Sequence, residues 1–232
     1  KFNKMSKACW IADCGDPYMG SEFHKRPFYF KYIEKFTFRQ VDYITIPTKA
    51  AKKGYYVEFH NKIKVIPQGF NFDEIESVEC YVKNRVPVFI YAGIFYEKLR
   101  DPRPFLDFLL KLKINFKFIV YTKNSTFLSD YKHILGDRLE VHNYIERKKL
   151  ILNMSKVDFL LNLENPSEVH SPSKLIDYAL SKRPILSINT NNKLDEATIL
   201  EFMNGNYENA TVIDNISNYD IKNVAQSFLD LT

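Results

Sequence analysis

Val157-Asp158-Phe159-Leu160-Leu161-Asn162-Leu163 runs into a polar turn, Glu164-Asn165-Pro166-Ser167-Glu168-Val169-His170, and then into Ser171-Pro172-Ser173-Lys174-Leu175-Ile176-Asp177-Tyr178. The first run is short and nearly continuous in apolar residues, the pattern of a strand covered on both faces. Ser171 before Pro172 makes a helix start, a hydroxyl N-cap with proline at the first helical position. Strand, turn and helix in that order form one repeat of a parallel sheet wrapped by helices, and the rest of the chain can be read outward from it.

The same alternation begins near Val86 and continues almost to the end. It predicts strands at Val88–Ala92, Phe116–Tyr121, Leu139–His142, Val157–Leu163, Pro184–Ile188 and Thr211–Ile213. Helices are predicted at Pro104–Lys113, Thr126–Leu135, Glu146–Ser155, Pro172–Ser181, Asp195–Met203 and Asp220–Leu231. Toward the N-terminus, strands at Ala8–Ala12, Tyr43–Ile46 and Ile63–Ile66 alternate with helices at Phe28–Gln40 and Lys49–Phe59. Gln68 to Asn84 is polar and has no clear period, as a linker would be. The expected class is therefore α/β, with two Rossmann-like parallel-sheet domains, the first incomplete. Residues 1–67 form the end of the first domain, 68–85 the linker and 86–232 the second domain.

Composition bounds the answer. With 232 residues, 45% of them hydrophobic, the chain can bury a core without disulfide or metal staples. Its net charge of +5 is unevenly placed: residues 1–66 carry 13 basic and 6 acidic side chains, so the remainder is net −2. That field favours anionic partners such as phosphates or a lipid surface and is too weak to indicate nucleic-acid binding. No apolar run approaches the roughly 20 residues that cross a bilayer. Cys9, Cys14 and Cys80 form neither a CxxC pair nor an even disulfide set, which suits a reducing compartment. The first residue is Lys1 rather than Met, and the first domain is short, so an N-terminal portion is expected to be missing.

In open α/β sheets ligands sit beyond the carboxyl ends of the strands, where helix N-termini offer free N–H groups. Lys174 lies in the first turn of its predicted helix, where a cation opposes the helix dipole unless an anion is near. Asp177 lies about 9 Å along the axis from Ser171, the reach of a ribose attached to a diphosphate at the helix start. The plain alternative is that Ser171 only caps and Asp177 is only solvated. After the strand ending at Ala92, Gly93 permits close backbone approach, and Lys98 and Arg100 supply charge. GxGxxG is absent, which argues against NAD and FAD, and so is the GxxxxGK[ST] loop. The five histidines make no HxH or HExxH pair, so no metal site is expected, and there is no GxSxG elbow.

Taken together, Ile66-Pro67-Gln68-Gly69-Phe70-Asn71, the Ile90–Gly93 strand end, and Ser171-Pro172-Ser173-Lys174-Leu175-Ile176-Asp177-Tyr178 with Lys182-Arg183-Pro184-Ile185 resemble the donor half of family four glycosyltransferases of the GT-B fold. Ala12-Asp13-Cys14-Gly15-Asp16-Pro17 and Val41-Asp42-Tyr43-Ile44-Thr45 are similar to the last strands of the acceptor domain of that family. The resemblance implies retaining sugar transfer from a nucleoside diphosphate sugar, in the UDP or GDP form and without a separate cofactor. By the same resemblance Lys98, Arg100, Ser171, Ser173 and Lys174 meet the donor diphosphate, and Asp177 binds the ribose. His142, Tyr144 and Ile145 face the nucleobase, Glu168 and Asp13 are the catalytic carboxylates, and Asp16 lies on the acceptor side. The family commonly has two glutamates with seven residues between them. Here the second position is Asp177 and the first falls on Val169, with Glu168 beside it.

The function expected from the resemblance is transfer of a sugar to a glycan or lipid-linked acceptor in bacterial surface-polysaccharide assembly. A cytoplasmic location with peripheral contact at the inner membrane face goes with it, and no nucleic acid. The alternatives are a nucleotide-sugar epimerase of the same fold and a non-catalytic Rossmann-like scaffold.

Overall fold

The computed structural model describes residues 8–21, 25–76, 80–97, 100–164 and 174–232. They fall into two compact units. The first takes the described residues up to Phe72 together with Asn215–Thr232, and the second takes those from Asp73 to Asp214. Among the described residues no helix is long and apolar enough to cross a membrane.

In the first unit, β1 (Ile11–Asp13), β2 (Tyr43–Ile46) and β3 (Ile63–Val65) form a three-stranded parallel sheet in that order. The connection from β1 to β2 contains α1 (Phe30–Gln40). Phe38 of α1 packs with Ile44, Ile46, Tyr55 and Phe59, its ring edge-on to Phe59 at 5.6 Å. The helix expected over Lys49–Phe59 is instead two 3₁₀ turns, Ala50–Gly54 and Val57–Phe59. Gly54 and the aromatic, β-branched run Tyr55-Tyr56-Val57 carry low helix propensity, so the segment breaks where the glycine stands.

The second unit holds β4 (Val88–Ala92), α2 (Arg103–Lys111), β5 (Lys117–Tyr121), α3 (Ser129–Leu135), β6 (Leu139–His142), α4 (Arg147–Met154), β7 (Phe159–Leu163), α5 (Lys174–Leu180), β8 (Ile185–Ile188) and α6 (Glu196–Asn204). All five strands are parallel, in the order β6-β5-β4-β7-β8. The chain winds outward from β4 to β6, then returns to lay β7 on the other side of β4. The carboxyl ends of β4 and β7 are thus the topological switch point.

Both faces of this sheet are buried, which explains its unbroken apolar runs. On one face Phe118, Phe89 and Phe159 of three adjacent strands stack, Phe89 lying 4.7 Å from Phe118 and 4.8 Å from Phe159. Phe105 from α2 and Phe202 from α6 close the stack edge-on. On the other face Ile90 and Leu160 pack with Ile151 and Met154 of α4 and Tyr178 of α5. The alternation of 89 and 90 between the two faces is the two-residue period of a strand.

Three expectations change. The strand expected at Thr211–Ile213 is absent. Thr211 gives one backbone bond to Ile185 O at 2.8 Å, but Asn215 turns the chain in a left-handed conformation before a ladder can form. Part of the expected linker belongs to the second unit. Asp158 at the start of β7 is buried and accepts bonds from the Tyr81 hydroxyl, from Asn84 Nδ2 at 3.0 Å and from the Val88 amide at 2.8 Å. Finally, the C-terminal helix α7 (Ile221–Leu229), read with the second domain, clusters with the first unit. Its start is tied to Phe70 by two backbone bonds, Phe70 N to Tyr219 O at 2.8 Å and Ile221 N to Phe70 O at 2.9 Å. Gly69 lets the helix come this close, since a Cβ there would lie 2.5 Å from Ile221 Cδ1.

The switch point has its own support. β4 and β7 pair only at Phe89–Phe159 and Ile90–Leu160, and beyond those residues the strands part. The Tyr178 hydroxyl fills the gap: it accepts from the Ala92 amide at 2.9 Å and donates to the Leu161 carbonyl at 3.1 Å. Tyr178→Phe leaves both backbone groups buried and unpaired, a loss of about 1–3 kcal/mol. Urea unfolding of the variant should show that loss as a lower midpoint with an unchanged slope.

Candidate functional site

β4 delivers the chain to the switch point and Gly93 turns it away. Gly93 has φ +155°, and a Cβ there would meet the Tyr91 hydroxyl at 3.0 Å. The loop then folds back so that Arg100 pairs with Tyr96 through backbone bonds of 3.3 and 2.8 Å. That pairing holds the Arg100 guanidinium over the Tyr96 ring, 5.1 Å from its centre. From the other side α5 brings Lys174, whose ammonium sits 4.7 Å from the centre of the Tyr91 ring and 5.9 Å from that of Tyr178.

Two cationic nitrogens are enclosed at this point. Lys174 Nζ and Arg100 Nε are both enclosed and have no hydrogen-bond partner among the described residues. Burial pushes the Lys174 ammonium down to about 7, and the nearby Arg100 charge pushes the same way. Aromatic faces offset part of the cost, but cation–π contact does not supply the hydrogen bonds that an ammonium lost on leaving water. An arrangement that costs stability and lies at a switch point is suited to a bound anion with several acceptor oxygens.

One turn along α5, Asp177 accepts from Arg147 Nε at 2.8 Å and Nη2 at 2.6 Å, both bonds landing on Oδ1. Arg147 opens α4, and no sequence motif singled it out. Its signal was nonetheless present: Arg147, Lys148 and Lys149 stand in the first turn of a helix that has no acidic residue there, the same conflict with the dipole that marked Lys174. Tyr91, Tyr96 and Tyr178 serve as walls for the two cations.

The residues expected at the nucleobase separate. Tyr144 lies close enough to Tyr96 and Arg100 to feel both; its phenol is raised by burial first and by Tyr96 next, with Arg100 opposing. Lys123 Nζ sits 5.2 Å from its ring centre. Ile145 beside it is 38% exposed. His142 instead binds Glu140 at 2.8 Å and stacks on Tyr121 at 5.1 Å. It lines a separate cavity of about 220 Å³ with Thr122, Ser125, Lys132 and Asn143. Lys98, Glu168, Ser171 and Ser173 lie outside the described residues.

In the first unit, Asp13 closes β1 and accepts from the Thr45 hydroxyl at 2.7 Å, which fixes one carboxylate oxygen. Asp16 follows on the exposed turn. Between them the half-buried Cys14 thiol is raised to about 11 by burial and by Asp13 and Glu34, so it is protonated near neutrality.

No family model matches the chain, and no curated protein matches it in sequence. Solved structures do. A glycosyltransferase from Rickettsia africae superposes with a TM-score of 0.68 at 12% identity, covering 99% of this chain and 71% of that one. Anabaena Alr3699/HepE in complex with UDP gives 0.69 at 9%, covering 98% and 73%. The same protein with UDP-glucose gives 0.64 at 8%, covering 98% and 73%. The fold is GT-B. At these identities the likeness establishes the architecture, and the chemistry must be argued from the site.

Lys174 makes stability depend on pH. An unfolded lysine titrates near 10.4, so between about pH 7 and 10.4 the unfolded chain binds more protons than the folded one. The group therefore makes the protein more stable as pH rises through that window, and its full penalty remains below pH 7. Lys174→Met removes the buried charge and should raise Tm at pH 7 by several degrees, about 1–4 kcal/mol, while flattening the pH profile. Melting curves of both proteins from pH 6 to 10 check this.

Proposed function

We propose that the chain is a retaining glycosyltransferase that moves a sugar from a nucleoside diphosphate sugar, UDP or GDP, to a glycan or lipid-linked acceptor in bacterial surface-polysaccharide synthesis. The observation that carries this reading is the pair of enclosed cation nitrogens at the switch point of the second unit, Arg100 Nε and Lys174 Nζ, which have no hydrogen-bond partner among the described residues. The likeness to glycosyltransferase structures, among them one holding UDP-glucose, supports it.

In this reading Arg100 and Lys174 take the diphosphate, joined by Lys98 and by the Ser171 and Ser173 hydroxyls. As the glycosidic bond breaks, negative charge gathers on the leaving phosphate, and enclosed cations stabilise that charge more than the same groups in water would. Lys174 becomes a full cation as the diphosphate arrives, because the anion reverses the effect of burial on its pKa. Asp177, turned by Arg147, offers its other oxygen to the ribose. Tyr144 and Ile145 remain beside the diphosphate site for the base. His142 is left to the strand edge, where Glu140 and Tyr121 hold it. Glu168 is assigned to the donor sugar, and Asp13 and Asp16 to the acceptor. Thr45, holding one oxygen of Asp13, leaves the other for an acceptor hydroxyl. The acceptor and any membrane contact of the enzyme belong to the same proposal.

A thermal-shift panel of UDP, GDP, ADP, CMP and NAD tests the site. At about 100 times Kd the matching nucleotide should stabilise by roughly 2.7 kcal/mol, a shift of roughly 5–10 °C. Arg100→Ala and Lys174→Met should abolish the shift and Asp177→Ala should weaken it. Silence across the panel would remove the transferase reading in favour of a scaffold. With the sugar nucleotide in hand, NMR of the product anomer tests retention, and conversion of the donor sugar without acceptor would mean an epimerase.

A further inference from the structure

β6 is the outer strand of the second unit's sheet and pairs only with β5. An open edge presents backbone groups that can take a further strand, and proteins commonly blunt it with proline, lysine, a bulge or a covering helix. Leu139-Glu140-Val141-His142 holds no proline, glycine or lysine. Nor does α3 close over it. A cavity of about 850 Å³ lies between them, lined by Ser129, Lys132 and Gly136 on the helix side and by Leu139, Glu140 and Val141 on the strand side.

Two bonds fix which backbone groups point outward. His142 O accepts from Thr122 N at 3.0 Å, so the backbone groups of His142, and of Glu140 two residues before it, face β5. Those of Leu139, Val141 and Asn143 therefore face away from the sheet. The Leu139 amide is already used, donating to the Gly136 carbonyl. Among the described residues no backbone bond outside the β5 ladder engages the Val141 amide or carbonyl, the Leu139 carbonyl or the Asn143 amide.

We infer that two copies of this chain pair through β6, antiparallel about a twofold axis at Val141, so that their five-stranded sheets join into one. In that register the two Val141 residues exchange amide and carbonyl bonds, and each Asn143 amide meets the Leu139 carbonyl of the other copy. An axis at Leu139 would need an amide that is already engaged. The side chains agree with the backbone. Glu140 of each copy lies directly opposite His142 of the other, and no like charges on the strand are opposed. Lys117 Nζ, 2.5 Å away, is the main cause holding the Glu140 carboxyl below its usual range, so it is ionised near neutrality. Within one chain the same carboxylate already bonds His142 Nε2 at 2.8 Å, so the two groups match chemically. A segment that complements itself in both backbone and charge is what an isologous interface requires. The inference is independent of the transferase reading.

Sedimentation equilibrium of the full chain should show a monomer–dimer equilibrium. Val141→Pro removes the outward amide and leaves every bond to β5, since proline is tolerated where an edge N–H faces solvent. That variant should stay monomeric and keep the wild-type circular dichroism spectrum. Glu140→Lys should weaken association by about tenfold or more, and Glu140→Lys with His142→Glu should restore it. Cross-linking reads the register. In a chain whose three native cysteines are serine, Val141→Cys should oxidise to a linked dimer, because a hydrogen-bonded antiparallel pair sets its Cα atoms about 5.5 Å apart, within disulfide reach. Glu140→Cys alone should link poorly, whereas its mixture with His142→Cys should link well. A wild type that is monomeric at every concentration would overturn the proposal and leave the edge to a strand of another protein. So would a dimer that Val141→Pro leaves intact, a charge exchange that restores nothing, or a Val141→Cys chain that does not link.

Discussion

Two parallel strands that separate before their ends leave backbone groups without partners, and the second unit depends on how that gap is closed. The Tyr178 hydroxyl bonds to Ala92 on β4 and Leu161 on β7 where the ladder between them stops. A crevice at a switch point needs this kind of support, since buried amides and carbonyls are costly when unpaired. The same side chain also sets α5 in place. Lys174 and Asp177 therefore reach the crevice from a helix whose position is fixed by the strands it serves.

The crevice holds its two cations at a cost. Most buried charges are paired, and Asp158 at the opposite end of β7 shows the usual arrangement, with side-chain and backbone donors gathered around one carboxylate. Lys174 Nζ and Arg100 Nε have no such partners among the described residues, and the aromatic stack and the doubly covered sheet around them supply the packing that offsets the cost. Stability spent at one point in an otherwise well-packed unit is a physical mark of a binding site.

The strands were legible because each is a short apolar run between turn residues, and a buried parallel sheet allows little else. Helix ends were less so. Gly54 and the residues after it reduced an expected helix to two 3₁₀ turns, and the three residues from Thr211 were too few to hold a ladder before Asn215 turned the chain. At the site, Lys174 was visible as a charge of the wrong sign in a helix start, and Arg147 carried the same mark unread. His142 and Tyr144 looked alike as neighbours in one loop. Their separation came from Glu140 and Tyr121, which capture the histidine on the strand.

By itself the sequence determined the α/β class, the two-part organisation and the loops that carry the charged groups, because these follow from local periodicity and turn chemistry. Only the tertiary structure decided which charges are buried, which carboxylate is held by an arginine 30 residues away, and that the last helix clusters with the first unit. Those outcomes depend on contacts between segments distant in sequence, such as Phe70 with Ile221 and Ala92 with Tyr178, and on the desolvation that such contacts impose. Periodicity records which side of a strand or helix is apolar. It does not record what that side will be packed against, and it is the packing that sets the charge state of Lys174.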